Sequence, residues 1–93
     1  MKAAYTSRAV AELEGAYHWY ERQREGLGDE FLDELDAAVA RIEANPELFP
    51  SIRSDFRNCL TRRFPFSLIY TVESDRIVIH AVFDTRRAPS KLP

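Results

Sequence analysis

The stretch that decides the fold is residues 67–83, which read SLIYTVESDRIVIHAVF. Ser67–Glu73 and Arg76–Phe83 are both rich in β-branched and apolar residues, as expected of β-strands. Only two residues separate them, and the oppositely charged Glu73 and Arg76 flank that connection, which predicts a β-hairpin. The second strand is apolar enough to lie in the middle of a sheet.

Two helices are predicted upstream of the hairpin, because apolar residues recur there at helical spacing. The first begins at Ser7, a good N-cap, and runs to about Glu25, and Gly26–Asp29 then separates it from the second. Asn45 and Pro46 end the second helix, since proline cannot continue the hydrogen-bond ladder. The two apolar stripes consist of Val10, Leu13, Tyr17 and Tyr20, and of Phe31, Leu35, Ala38, Val39 and Ile42. The opposite, solvated face of the first helix carries Glu12, Glu14, Glu21, Arg22 and Glu25.

The remaining segments complete an α+β fold. Met1–Thr6 has the character of a short edge strand, residues 46–55 form a connecting loop, and Phe56–Phe64 is a further strand. The order β-α-α-β-β-β predicts a helical hairpin packed on one face of a small, largely antiparallel four-stranded sheet. The other face is left open, and the arginines of residues 57–63 are expected on that face or its rim.

Length and composition bound the class of protein. A chain of 93 residues with 45% apolar and 30% charged residues has the size and composition of one globular domain, so residues 1–93 are treated as a single unit. The single cysteine, Cys59, excludes an intramolecular disulfide and suits the reducing cytoplasm. No apolar run approaches the roughly 20 residues of a membrane-spanning helix. A cytoplasmic protein with no membrane partner is therefore expected.

The net charge of −2 conceals two oppositely charged halves. Residues 1–50 carry five basic and eleven acidic side chains, a net charge of −6. Residues 51–93 carry eight basic and four acidic side chains, a net charge of +4, and seven of those eight are arginines. Since the planar guanidinium recognises carboxylates and phosphates at two points, an anionic partner for the second half is one interpretation. The other is that the two halves attract each other.

Several short motifs occur in an order and spacing that resemble one family. They are Ala9-x-x-Glu12-Leu13, Trp19-Tyr20-Glu21, Gly26-Leu27-Gly28-x-x-Phe31, Asn45-Pro46, Phe64-Pro65-Phe66-x-x-Ile69-Tyr70 and Arg87-x-Pro89. Together they resemble the RelE/ParE superfamily of bacterial toxins from type II toxin–antitoxin, or plasmid-stabilisation, modules. The resemblance implies a growth-inhibiting toxin that is neutralised by a small co-encoded antitoxin, whose segment folds over the helices and sheet of the toxin in a hetero-oligomer.

The superfamily divides into two activities: RelE-like members are ribosome-dependent endoribonucleases, and ParE-like members poison DNA gyrase without being nucleases. Metal-free RNA cleavage needs an acid and a base besides cations. The tail of RelE nucleases carries a tyrosine, which residues 84–93 lack, and Asp84 stands where many members of the group have a histidine. His80, between two apolar residues, is interpreted as structural. The net negative charge also favours a ParE-like protein that is not an enzyme.

Candidate site residues follow from the cationic second half of the chain and from the antitoxin that the resemblance implies. The proposed target-binding residues are arginines of the second half, namely Arg57, Arg62, Arg63, Arg86 and Arg87. The proposed antitoxin contacts are Trp19, Tyr20 and Tyr70, because tyrosine and tryptophan dominate interface anchors. No catalytic residue is assigned, and no metal or cofactor is expected, since His18 and His80 lie far apart without a ligand pattern. Two alternatives stay open: a RelE-type ribonuclease, and a non-toxic remnant that still binds an antitoxin.

Overall fold

A computed structural model describes residues 1–93 and contains two helices, five strands and one short 3-10 turn. The elements in chain order are β1 (Ala3–Tyr5), α1 (Ser7–Gln23), α2 (Leu27–Ala44), β2 (Ser51–Arg53), β3 (Phe56–Leu60), β4 (Phe66–Val72) and β5 (Ile77–Asp84), with the 3-10 turn at Pro89–Lys91. Neither helix is long and apolar enough to cross a membrane. The α+β class is confirmed.

The sheet has the strand order β1-β5-β4-β3-β2, in which β1 runs parallel to β5 and all other pairs are antiparallel. The predicted hairpin is confirmed as β4 and β5, with Val72 opposite Ile77 next to the turn, and β5 lies between two strands. The prediction of four strands was wrong, because residues 51–53, assigned to a loop, pair with β3. All three residues of β2 are exposed, so its sequence carries no buried alternation that would identify a strand.

Two irregularities shape the sheet. β3 ends at Leu60 and not at Phe64, because the hydroxyl of Thr61 donates to the Phe64 carbonyl at 2.5 Å and closes a turn. In β5 the register shifts, so that Ile79 and Ala81 pair with consecutive residues of β4 and His80 is the extra residue of a β-bulge. The bulge reverses the alternation of side chains along the second half of β5.

The helix ends differ by a few residues from their predicted positions. Thr6 caps α1, since its hydroxyl accepts a hydrogen bond from the backbone N–H of Ala9 at 3.2 Å, and the helix ends at Gln23. α2 begins at Leu27, directly after Gly26, whose φ of 88° lies in the left-handed region that favours glycine. Asp29, which was assigned to the segment between the helices, therefore lies inside the first turn of α2.

The main core lies between the helical hairpin and the sheet. The predicted stripe of α2 is confirmed, with Phe31, Leu35, Ala38 and Ile42 fully buried. On α1, Ala9 and Tyr20 are buried, whereas Val10 is exposed. An aromatic cluster of Tyr20, Phe31, Phe64 and Phe66 joins the two helices to the sheet, with neighbouring ring centroids 4.8–6.2 Å apart.

The second face of the sheet is partly covered, although the sequence indicated an open face. Ile69, Ala81 and Phe83 are buried there, and Phe56 and Leu92 pack against them. Leu92 belongs to the C-terminal tail, which therefore folds back over the sheet. The single leucine of the tail supplies apolar cover for this face.

Tyr70 joins β4 to the loop after α2. Its side chain is fully buried, and its hydroxyl donates a 2.6 Å hydrogen bond to the backbone carbonyl of Pro46. Burial raises the pKa of Tyr70 to about 12, and the nearby Arg57 opposes this rise. The phenol thus fixes a loop that contains no regular structure before β2.

We expect Tyr70→Phe to lower the free energy of unfolding by about 1–2 kcal/mol, because the Pro46 carbonyl loses its donor. Tyr17→Phe is the matched control: the Tyr17 hydroxyl has no hydrogen-bond partner, so its removal should change stability by less than about 0.5 kcal/mol. Urea unfolding followed by circular dichroism measures both. Equal stability of the two variants would contradict the role given to this hydrogen bond.

Candidate functional site

The candidate site begins where β1 ends and the edge of β5 is left without a strand partner. β1 pairs with β5 only from Ile77 to Ile79. Beyond this point the chain turns into α1, and the backbone N–H of Thr6 donates to the Ile79 carbonyl at 3.0 Å. Further along, a carboxylate oxygen of Glu12 accepts a 2.9 Å hydrogen bond from the backbone N–H of Val82. Glu12 thus faces the sheet, and its prediction as a solvated residue was wrong.

This arrangement leaves a groove of about 400 Å³ between α1, the end of β5 and the tail, which we call the α1 groove. It is lined by Glu12, Gly15, Ala16, Trp19, Tyr20, Phe66, Val82, Asp84, Arg86 and Arg87. Trp19 is 46% exposed, although its ring packs edge-on against Tyr20 with centroids 5.1 Å apart. A large apolar side chain exposed in a groove is typical of an interaction surface.

Gly15 has no structural reason to be glycine. It lies in the interior of the 17-residue helix α1, where glycine is about 1 kcal/mol less favourable than alanine. A Cβ atom built at this position would meet nothing within 4 Å. By contrast, a Cβ atom on Gly28 would lie 2.7 Å from the Tyr17 ring, so the packing of the helical hairpin requires that glycine. Gly15 therefore leaves open space in the wall of the α1 groove.

Polar contacts fix both ends of the α1 groove. The second carboxylate oxygen of Glu12 accepts a hydrogen bond from Arg8 at 3.2 Å, and Arg8 also donates to the Lys91 carbonyl at 2.9 Å. A chain of contacts thus runs from β5 through α1 to the tail. At the other end, Asp84 accepts hydrogen bonds from the backbone and the guanidinium of Arg86 at 2.7–2.9 Å. These contacts already engage both carboxylates of the groove.

The five predicted target-binding arginines are not gathered on one surface. Arg57 donates to the backbone carbonyls of Glu47 and Phe49 at 3.1 and 2.7 Å, and Arg63 pairs with Glu30 of α2. Arg57 thus contacts the loop after α2 and Arg63 contacts α2, whereas the arginines of residues 57–63 were expected on the open face of the sheet or at its rim. Arg86 is paired with Asp84. The exposed side chains of Arg62 and Arg87 take part in none of the chain's four ion pairs.

Arg87 lies at the junction of two grooves. Besides the α1 groove, it lines a smaller groove of about 160 Å³ on the opposite face of the sheet, which we call the tail groove. The tail groove is lined by Ile52, Asn58, Leu60, Ser67, Ile69, Phe83, Thr85, Arg87, Pro89 and Leu92. Arg62 is separate from both and lines a third groove, in which the other arginine is Arg41.

The three predicted antitoxin contacts differ in exposure. Trp19 is available on the surface of the α1 groove. Tyr20 also lines this groove, but only 8% of its surface is exposed. This burial raises the pKa of its phenol. Tyr70 is fully buried, so in this conformation it presents no surface to a partner. The period of α1 predicted the outward position of Trp19, whereas β4 is buried on both faces.

The remaining reactive groups are engaged within the fold. The Nε2 atom of His80 lies 2.8 Å from the Thr71 hydroxyl, and its ring packs edge-on against Phe56. Cys59 is buried, and this burial raises the pKa of its thiol. No three histidine, cysteine, aspartate or glutamate side chains converge as metal ligands.

Comparison with known proteins identifies the family. A family model described as the ParE toxin of the type II toxin–antitoxin system parDE matches residues 3–89. The chain belongs to the ParE toxin family. No curated protein matches it. A solved structure described as the chromosomal ParDE TA system from P. aeruginosa is similar, with a TM-score of 0.68 and 21% identity over 90% of this chain and 95% of that one. The predicted RelE/ParE superfamily and its fold are thus confirmed.

Two features of this ParE-family chain were missed by sequence reasoning. Glu12 was assigned to the solvent because its charge fitted a polar helix face, and nothing local indicates that Val82 needs an acceptor. Gly15 carried a usable signal, since glycine inside an amphipathic helix is costly and calls for a reason. Its neighbours Ala16 and Trp19 gave the position of the groove only once the sheet was in place.

We expect the pKa of the Asp84 carboxyl to lie below its ordinary value of 3.8, chiefly because of the side-chain hydrogen bond with Arg86. Since the pKa is lowered on folding, the stability that this pair contributes is present above the ordinary value and is lost as the pH falls through the lowered one. In Arg86→Gln the pKa of Asp84 should rise toward 3.8 in an NMR titration. Arg24→Gln is the control and should leave it unchanged; an unchanged value in both would contradict the assignment.

Proposed function

We propose that this chain is the toxin of a two-component module, that a co-encoded antitoxin binds and neutralises it, and that it acts in the cytoplasm by binding DNA gyrase. Membership of the ParE family supports the module and its antitoxin. The proposed contact with the target rests on the position of Arg87. Its exposed guanidinium has no carboxylate partner and borders two grooves. A guanidinium in this condition is ready to bind a carboxylate or phosphate of a partner.

The antitoxin would neutralise the toxin by covering Arg87, the residue that the target also needs. An antitoxin segment that fills the α1 groove covers Arg87 together with Trp19, because both residues line it. A target that needs the same guanidinium is then excluded by direct occlusion. No conformational change of the toxin is required, since the groove is already formed in the single chain.

A binding toxin fits the arrangement of titratable groups better than a nuclease does. A nuclease needs an acid and a base beside its cations. His80 is hydrogen-bonded to Thr71 and lines neither groove that Arg87 borders. Tyr70 is fully buried, and burial raises its pKa to about 12. Arg87 therefore has neither His80 nor Tyr70 beside it, and the two carboxylates of the α1 groove, Glu12 and Asp84, are already hydrogen-bonded within the chain.

We expect the purified chain to inhibit DNA gyrase in a supercoiling assay. Arg87→Gln should weaken this inhibition by about tenfold or more, since losing a charge-assisted contact at an interface costs about 1.5–3 kcal/mol. Arg62→Gln tests the other exposed arginine, among the five predicted target-binding residues, that takes part in no ion pair. Arg22→Gln is the matched control, because Arg22 is exposed on α1, lines no groove and takes part in no ion pair.

Three results would contradict the proposal. No inhibition by the wild-type chain at micromolar concentration would remove gyrase as the target. Cleavage of messenger RNA after induction, lost in Arg87→Gln, would favour the RelE-type activity. Harmless overexpression without the antitoxin would favour a non-toxic remnant.

A further inference from the structure

Two arginines that take part in no ion pair line the same groove at the end of β3. They are Arg41 of α2 and Arg62, which follows β3, and their groove has a volume of about 360 Å³. We call it the β3 groove, and its other lining residues are Phe49, Pro50, Asn58, Leu60 and Thr61. None of these residues carries a carboxylate, so the two positive charges have no counter-charge in the wall of the groove.

The fold holds both arginines close to the end of β3. Arg41 donates to the backbone carbonyl of Leu60 at 2.9 Å, and its guanidinium lies 3.7 Å from the Sγ atom of Cys59. The backbone N–H of Arg62 donates to Glu34 of α2 at 3.0 Å. Burial raises the pKa of the Cys59 thiol, and the charges of Arg41 and Arg62 both oppose this rise. The two cations therefore act on one place, although they belong to different elements.

A backbone N–H group adds a third donor at this place. Thr61 donates its N–H to the Phe66 carbonyl of β4 at 2.9 Å. Since backbone groups alternate in direction along an antiparallel strand, the N–H and C=O of the preceding residue, Leu60, point away from β4. β2 does not cover them, because its pairing with β3 ends at Arg57. Arg41 binds the carbonyl of Leu60, which leaves the N–H of Leu60 for a ligand.

Three donors on separate groups favour a phosphate over a carboxylate. A carboxylate has two oxygens in one plane, and a single guanidinium can engage both. A phosphate has more acceptor oxygens in a tetrahedral arrangement, so it accepts hydrogen bonds from several directions. Beside the cations, Phe49 and Pro50 supply apolar surface for the organic group that carries the phosphate. An aromatic ring next to arginines suits a nucleobase, which can stack on it.

We propose that the β3 groove binds the phosphate of a nucleotide, with Arg41, Arg62 and the N–H of Leu60 as donors and the ring of Phe49 beside the base. The nucleotide is either free or part of a nucleic-acid strand, since both present the same phosphate. The inference does not rest on the proposed function, because the grooves that Arg87 borders share no arginine with the β3 groove.

Calorimetric titration of the purified chain tests the proposal with three probes: inorganic phosphate, a nucleoside monophosphate and a short single-stranded DNA. The nucleoside monophosphate should bind more tightly than inorganic phosphate, because only the nucleotide reaches Phe49. Arg62→Gln should weaken its binding about tenfold or more, since a charge-assisted hydrogen bond is lost. Arg76→Gln is the matched control and should bind like the wild type, because Arg76 is exposed, lines no groove and takes part in no ion pair.

An NMR titration locates the ligand, since the amide signal of Leu60 should shift when the nucleotide is added. DNA that binds no more tightly than the mononucleotide would support the proposal with a free nucleotide as the source, and tighter binding of DNA would support it with a strand. Unchanged affinity in Arg62→Gln would overturn the proposal, as would no binding of any probe at millimolar concentration. A glutamate-rich peptide that binds as tightly as the nucleotide would assign the groove to an acidic protein instead. Inhibition of gyrase by the wild-type chain would stand in each of these cases.

Discussion

The hydrogen bond from the backbone of Val82 to the carboxylate of Glu12 is the contact on which the rest of the site depends. β1 covers the edge of β5 only as far as Ile79, so the amide of Val82 would otherwise face an empty edge. An unpaired edge of this kind attracts another strand. Since Glu12 closes it, the edge becomes the wall of a groove, and α1 is held at the distance that gives the groove its width.

The same use of glutamate recurs through the acidic half of the chain. Backbone N–H groups donate to the side chains of Glu12, Glu21, Glu34 and Glu43. Four of the eleven acidic side chains of residues 1–50 thus accept hydrogen bonds from backbone amides. Only one ion pair, between Arg63 and Glu30, joins the two halves. Direct ion pairing between the halves is therefore limited to this contact.

The sequence was sufficient for features that rest on local pattern. The hairpin of β4 and β5, the buried stripe of α2 and the outward position of Trp19 all followed from period and turn chemistry. Three other features carried no local signal. Residues 51–53 pair with the neighbouring strand β3 but are all exposed, and the bulge at His80 is set by its register with β4. Glu12 turns inward because its acceptor site is needed by the amide of Val82, which is distant in the chain.

The candidate site, like the fold, could be predicted from the sequence only in part. Arginine composition indicated a cationic surface, but which guanidinium groups stay unpaired depends on carboxylates and carbonyls brought close by folding. Arg57 and Arg63 are held by such groups, whereas Arg62 and Arg87 are not. The most direct test of this account is a competition experiment, in which gyrase bound to the immobilised toxin is challenged with antitoxin. The account predicts that antitoxin releases gyrase, because both need Arg87. A stable ternary complex of toxin, antitoxin and gyrase would contradict it.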